Sequence, residues 1–241
     1  IVEIDGKPVL FDAIEFDDRI ATVDVLYDLA FLLMDLGARN LRAHATAVLN
    51  AYLEACGVTG NLMGLAALPL FLATRAMIRA KVELLRAERA TGGEREDAHA
   101  RVASYASLAL AFLALRKPRL VAIGGLSGSG KSSVGRALAS HLGNFPGAVL
   151  VRSDRERKRL FGAEEETRLP PEGYTASMSE IVYSVCRKRA FMALMGGQAV
   201  ILDAVHATPG ERVAAADVAR RAGVPFTGIW LDAPPEIMRQ R

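Results

Sequence analysis

The chain has 241 residues, a hydrophobic fraction of 51% and a charged fraction of 24%, which supplies core material for one or two domains and excludes a mainly disordered chain. Its formal net charge is only +3. That suits anionic ligands such as nucleotides, and without a basic stripe interleaved with aromatics it argues against nucleic acid as a partner.

Residues 1–16 read as strands. Residues 1–4 alternate, Asp5-Gly6 supplies turn chemistry, and residues 9–16 resume an extended apolar pattern. The period then turns helical: Val23, Leu26, Tyr27, Ala30, Phe31 and Met34 recur at three- and four-residue steps, with Gly37 as the expected stop. Further helices are expected over residues 39–56, ended by Gly57, and over 63–90, kinked or restarted at Pro69. After a break at Thr91-Gly92-Gly93, another covers 95–115. The most apolar run, residues 62–73, is interrupted by Gly64 and Pro69. It is shorter than the roughly 20 residues of a membrane-spanning helix, so it reads as a core helix and no membrane contact is expected. Cys56 and Cys186, the two cysteines, set neither a metal-site spacing nor a disulfide framework. They read as buried thiols of a cytoplasmic protein. The chain starts at Ile1 and stops at Arg241 inside a helical pattern, as a fragment of a longer protein would.

Arg116-Lys117-Pro118 is a polar joint, and the boundary is placed near residue 117. Beyond it, apolar strand-like runs recur at 120–123, 148–151, 199–202 and 226–231, with helical stretches between them. One helix begins near Ser177 with a capping box to Glu180. Another has Thr208 as cap, Pro209 in the first turn and Glu211 closing the box. This alternation predicts a parallel sheet with helices on both faces. The fold class is therefore α/β: a mainly helical domain over 1–117, then a P-loop sheet domain over 118–241.

Gly125-Leu126-Ser127-Gly128-Ser129-Gly130-Lys131-Ser132 matches the phosphate-loop pattern G-x-x-x-x-G-K-[ST]. Glycines let the backbone turn tightly and aim successive N–H groups at phosphate oxygens, and the following helix presents its positive end to the anion. Gly125, Ser127, Gly128, Ser129, Gly130, Lys131, Ser132 and Ser133 are the nucleotide-binding candidates. Lys131 is placed to reach the β- and γ-phosphates, and the Ser132 hydroxyl to ligate magnesium. ATP and Mg2+ are the expected cofactors.

Two strands end in carboxylates. In Val149-Leu150-Val151-Arg152-Ser153-Asp154, Asp154 stands where ligands of such sheets bind. It can orient an acceptor hydroxyl and take its proton, with Arg157 holding the acceptor or the transferring phosphoryl charge. Capping of the helix over 155–160 is the structural alternative for Asp154. In Ala199-Val200-Ile201-Leu202-Asp203 the terminal Asp203 has the Walker-B placement of a magnesium ligand, or else serves as a cap or turn residue. His206 and Asp232 read as loop and turn residues. Arg75, Arg79 and Lys81 read as solvated cations of a helix, with binding of an anionic substrate as the alternative.

These motifs over 119–241 resemble the small P-loop kinases, including gluconate-kinase-like, shikimate-kinase-like and polynucleotide-kinase-like proteins. The resemblance implies a lid supplying arginines, which Arg239 and Arg241 would begin. Residues 11–17 and 24–30 resemble the C-terminal lobe of aminoglycoside phosphotransferases, which implies that Glu15 falls on a metal-binding position and that Asp24 and Asp28 anchor the lobe. Taken in order, the halves resemble bacterial bifunctional aminoglycoside phosphotransferase/ATP-binding proteins. The expected function is an ATP- and magnesium-dependent kinase acting on a small hydroxylated molecule. A nucleotide-binding switch without an acceptor and a polynucleotide 5′-kinase are the alternatives. The sequence carries no signal for an oligomeric state.

Overall fold

The computed structural model describes residues 2–9, 23–57, 60–234, 236 and 238. Val2–Ile4 (β1) and Lys7–Val9 (β2) pair antiparallel. Asp5 and Gly6 between them both take positive φ, 52° and 71°, as a tight hairpin turn requires. The continuation to residue 16, with Glu15, lies outside the described residues.

Val25–Ala38 (α1) starts at Asp24, whose carboxylate accepts from the Leu26 N–H at 2.8 Å; this is the structural role expected of it. Gly37 does not stop the helix. Asn40, at φ 59°, is the left-handed residue after it, while Gly37 makes room for the Phe145 ring, which would lie 3.0 Å from an added Cβ. Arg42–Cys56 (α2) ends at Gly57 in the left-handed conformation. Gly60–Gly64 (α3) and a 3-10 turn, Leu65–Ala67, lead into Leu68–Arg89 (α4), which restarts with Pro69 in its first turn. Gly93–Leu113 (α5) packs back along α4. The stretch Asn61–Arg89 is longer than the apolar run in the sequence implied. It is long and apolar enough to cross a membrane, with a mean hydropathy of 1.5, yet Leu62, Leu65, Leu68, Leu72 and Ala76 on it are fully buried in the core. Arg75 and Arg79 are half-buried rather than freely solvated. Arg75 lies 3.9 Å over the Tyr27 ring and donates to the Tyr27 carbonyl, and Arg79 is 3.5 Å from Asp35, so both fasten α4 to α1.

The sheet half contains Leu120–Gly124 (β3), Lys131–Ala139 (α6), Val149–Arg152 (β4), Ser153–Leu160 (α7), Ala176–Met195 (α8), Val200–Asp203 (β5), Pro209–Ala222 (α9) and Phe226–Trp230 (β6). The strands are parallel in the order β4-β5-β3-β6. Side chains alternate across the sheet with the period of two that extended backbone dictates. Val121, Ile123 and Ile201 face α6 with Val134 and Leu138. Leu120, Ala122, Val149, Val151, Val200 and Leu202 join a second cluster with Val182, Cys186 and Ala190 of α8 and with Leu26, Leu33, Leu49 and Leu65 of the helical half. The two halves thus share one core. Thr208 and Glu211 form the expected capping box on α9. On α8 the cap is Thr175, accepting from the Met178 N–H, and not Ser177. Thr175 has the extended backbone a cap needs, φ −61° and ψ 157°, whereas Ser177 is already helical. Of the two thiols, Cys186 is buried and Cys56 only half-buried.

The outer edge of β4 is closed by α2. Asn50, 8% exposed, donates to the Ala148 carbonyl at 3.0 Å and accepts from the Leu150 N–H at 2.7 Å. Its amide occupies the place of a neighbouring strand. Arg42 and Thr46 add bonds to the Gly143 and Pro146 carbonyls, at 2.9 and 2.8 Å.

Candidate functional site

Residues 125–130 span the gap between the buried strand β3 and the start of α6. The loop is held from below: the Gly125 N–H donates to the Val205 carbonyl at 3.1 Å, and the Ser129 N–H to Leu126 at 3.2 Å. Gly125 and Gly128 have φ of 142° and 80°. An added Cβ would collide with the Leu231 carbonyl at the first and with the Met238 carbonyl at the second. Only glycine fits there. Trp230, the single tryptophan, stacks its ring against Gly124 at the loop's root.

At its helical end the loop meets the carboxyl end of β5 through Ser132. The Ser132 hydroxyl donates to Asp203 Oδ2 at 2.6 Å. Asp203 is 5% exposed and lies in register with Ile123 on one side and Arg152 on the other. Asp203 is therefore no cap or turn residue but a buried carboxylate aimed at the loop. Lys131 folds over its own loop, donating to the Leu126 carbonyl at 2.7 Å. Burial holds its ammonium below the usual lysine range, and Asp203 pulls the other way. The Ser129 hydroxyl is shut off from solvent and has no hydrogen-bond partner among the described residues. Ser127 and Ser133 are exposed on the outer side of the loop and on the first turn of α6. An orphaned hydroxyl, a lysine resting on a carbonyl and a glycine cradle fit a bound phosphate chain. A serine hydroxyl with a carboxylate is the hard-oxygen donor pair that magnesium takes.

Asp154 sits in the first turn of α7, half-exposed, and pairs with Lys158 at 3.1 Å. It does not cap the helix, which starts one residue earlier. Arg157 does not share its surroundings. It is 8% exposed and donates to the Gly173 carbonyl at 2.5 Å and the Ser179 hydroxyl at 3.3 Å, with the Tyr174 ring 5.2 Å away. Its guanidinium braces the segment 173–179. The spacing of three puts the two on adjacent turns, but packing turned Arg157 inward.

Two residues, Arg152 and Glu165, went unread in the sequence, and His206 lies in a loop as expected but is buried there. Arg152, at the end of β4, has its Nε 3.9 Å from Asp203 Oδ2; its signal was an arginine ending an apolar strand beside the Walker-B strand. Glu165, which binds it, lies in a loop without periodicity. His206 is 3% exposed at φ 51°, with both ring nitrogens unpartnered among the described residues and its N–H donating to the Tyr183 hydroxyl at 3.2 Å. Burial lowers its pKa below the ordinary imidazole value. Arg239 and Arg241 lie outside the described residues.

Comparison with known proteins agrees with this geometry. The family model of the AAA domain matches residues 120–241, just over half of the 241 residues. The chain belongs to the AAA domain family. The match begins at β3 and covers the phosphate loop, β4, β5 and β6; as a P-loop, kinase-like domain it is one that binds a nucleotide, generally with magnesium. Uncharacterized proteins of Mycobacterium tuberculosis and Mycobacterium bovis are 29% identical over 243 residues, spanning 99% of this chain. That alignment covers 46% of each relative, so the chain spans about half the length of the curated relatives it matches.

Proposed function

We propose that the chain carries an ATP- and magnesium-dependent phosphotransferase acting on a small hydroxylated molecule. The observation that supports this most is the Ser132–Asp203 contact at the mouth of the phosphate loop, with the solvent-accessible carboxylate of Asp154 two strands from β3 at the same carboxyl end of the parallel sheet. Lys131 and the loop N–H groups would hold the phosphates, and Ser132 with Asp203 would hold magnesium, which neutralises phosphate charge when bound. Asp154, oriented by Lys158, would accept the proton of the acceptor hydroxyl as its oxygen bonds to the γ-phosphorus and the bond to the departing ADP breaks. Arg157 would act through the segment it braces. Catalysis of this kind is mainly positioning and charge stabilisation.

The reading of residues 1–117 as resembling a phosphotransferase C-terminal lobe rests on the sequence pattern alone, since Asp24 caps α1 as at any helix start. It carries no inference of antibiotic modification. A nucleotide-driven switch without an acceptor is the second reading, and the core shared between the two halves favours it.

Mass spectrometry of a hydroxylated-metabolite mixture incubated with ATP and the intact protein would identify the acceptor. With it, Asp154→Asn should slow phosphoryl transfer by about 10²–10⁴-fold while ADP affinity, read from Trp230 fluorescence, changes little. Equal loss of transfer and affinity would assign Asp154 a structural role. ATP hydrolysis with no transfer to any acceptor would favour the switch.

A further inference from the structure

A continuous line of alternating charges leads from the helical half to the loop carboxylate. On α2, Glu54 takes Arg155 in a two-point contact, at 3.1 and 3.2 Å. Arg155 Nη1 is 3.1 Å from one oxygen of Glu165, and the other oxygen accepts from Arg152 Nη1 at 3.1 Å. Arg152 then turns its Nε toward Asp203, 3.9 Å from the oxygen that also accepts from Ser132. That Nε is shut off from solvent and has no hydrogen-bond partner among the described residues. Glu165 is held below the usual carboxylate range, first by its hydrogen bond from Arg152.

We propose that Arg152, divided between Asp203 and Glu165, is the positioning residue that sets how tightly the Ser132–Asp203 corner takes magnesium. The inference rests on the reading of that corner as the metal site. A guanidinium beside Asp203 competes with any cation that the carboxylate binds, because like charges repel in a partly buried site. Glu165 draws the guanidinium away and so relieves the competition. Arg155 shares Glu165, and Glu54 restrains Arg155, so the division of charge is anchored on α2. The fixed geometry matters here. Arg152 is the last residue of β4, in register with Asp203 on β5, so its backbone stays beside the corner while its flexible side chain is shared between the two carboxylates.

The two ends of this arrangement predict opposite shifts, a pattern that mere loss of structure does not produce. The experiment titrates magnesium into the intact protein saturated with ADP and follows Trp230 fluorescence, with ADP affinity in EDTA measured alongside. Arg152→Met removes the competing charge and should lower the half-saturating magnesium concentration by about threefold to tenfold. Glu165→Gln lets Arg152 lean fully on Asp203 and should raise it by a similar factor. Arg152→Lys keeps the charge and should stay near wild type, which separates charge from folding. Shifts in the same direction, or no shift in either variant, overturn the proposal. Should ADP bind in EDTA while magnesium changes nothing in any protein, the corner is not a metal site and the proposal falls with it. Should ADP fail to bind at all, the phosphate-loop reading itself fails.

Discussion

Asn50 offers a direct test of how the helical half is joined to the nucleotide-binding sheet. Asn50→Leu keeps the branching and heavy-atom count of the side chain, so no cavity forms, but it removes the donor to the Ala148 carbonyl and the acceptor for the Leu150 N–H. Both β4 groups are then buried without partners, at about 1–3 kcal/mol each. Added apolar burial returns about 1–2 kcal/mol. The net loss should be roughly 1–4 kcal/mol, a fall in Tm of about 2–16 °C for a chain of this size. Urea denaturation should show a lower midpoint at an unchanged slope, since the surface exposed on unfolding is the same. Asn50→Asp keeps an acceptor for Leu150 but turns a carboxylate toward the Ala148 carbonyl, and should be at least as unstable at neutral pH. A loss below about 0.5 kcal/mol for Asn50→Leu, the range of an ordinary surface change, would refute the reasoning. The edge of β4 would then be satisfied by water, and Asn50 would be incidental.

Two further outcomes follow from the site. Lys131→Met should weaken ADP binding by about 10–100-fold, the worth of a charge-assisted bond to phosphate, by calorimetry or Trp230 fluorescence; a change under about threefold would show that the lysine stays on Leu126 in the bound state. Burial keeps the folded-state pKa of His206 below its ordinary value of 6.5, so as pH falls through that value the unfolded chain takes up a proton that the folded one refuses. Stability should be level above it, decline below it by up to about 1.4 kcal/mol per pH unit, and level again beneath the folded value. His206→Gln should remove that decline between urea midpoints at pH 7.5 and 5.5; an unchanged slope would assign it to other groups.

Much of this architecture could be read from local pattern. The phosphate loop, the three buried strands β3, β4 and β5 and the Thr208 capping box are written in contiguous residues, and local rules suffice for them. The misplacements came where two residues satisfied the same rule. Thr175 and Ser177 both suit a helix cap, and only backbone geometry chose between them. Gly37 and Asn40 both suit a helix end, and contact with Phe145, distant in sequence, gave the glycine a packing task. Asp154 and Arg157 share a helix but not an environment, because the 171–179 segment covers one and not the other. Least legible were the contacts between halves. Asn50 against Ala148 and Arg155 against Glu54 join residues about a hundred positions apart, and neither side chain breaks the periodicity of its helix.

The closed edge at β4 makes the sheet one-sided. Asn50 already occupies the Ala148 carbonyl and the Leu150 N–H, backbone groups that another strand would have to pair with, and so obstructs the usual route by which sheets recruit strangers. Among the described residues the opposite edge, β6, has no strand beside it, and Phe226 and Trp230 on it are exposed. A fifth strand, from this chain or another, therefore has one place to join. It would lie next to the tryptophan that touches the root of the phosphate loop, so extension of the sheet and occupation of the loop would be sensed by the same side chain.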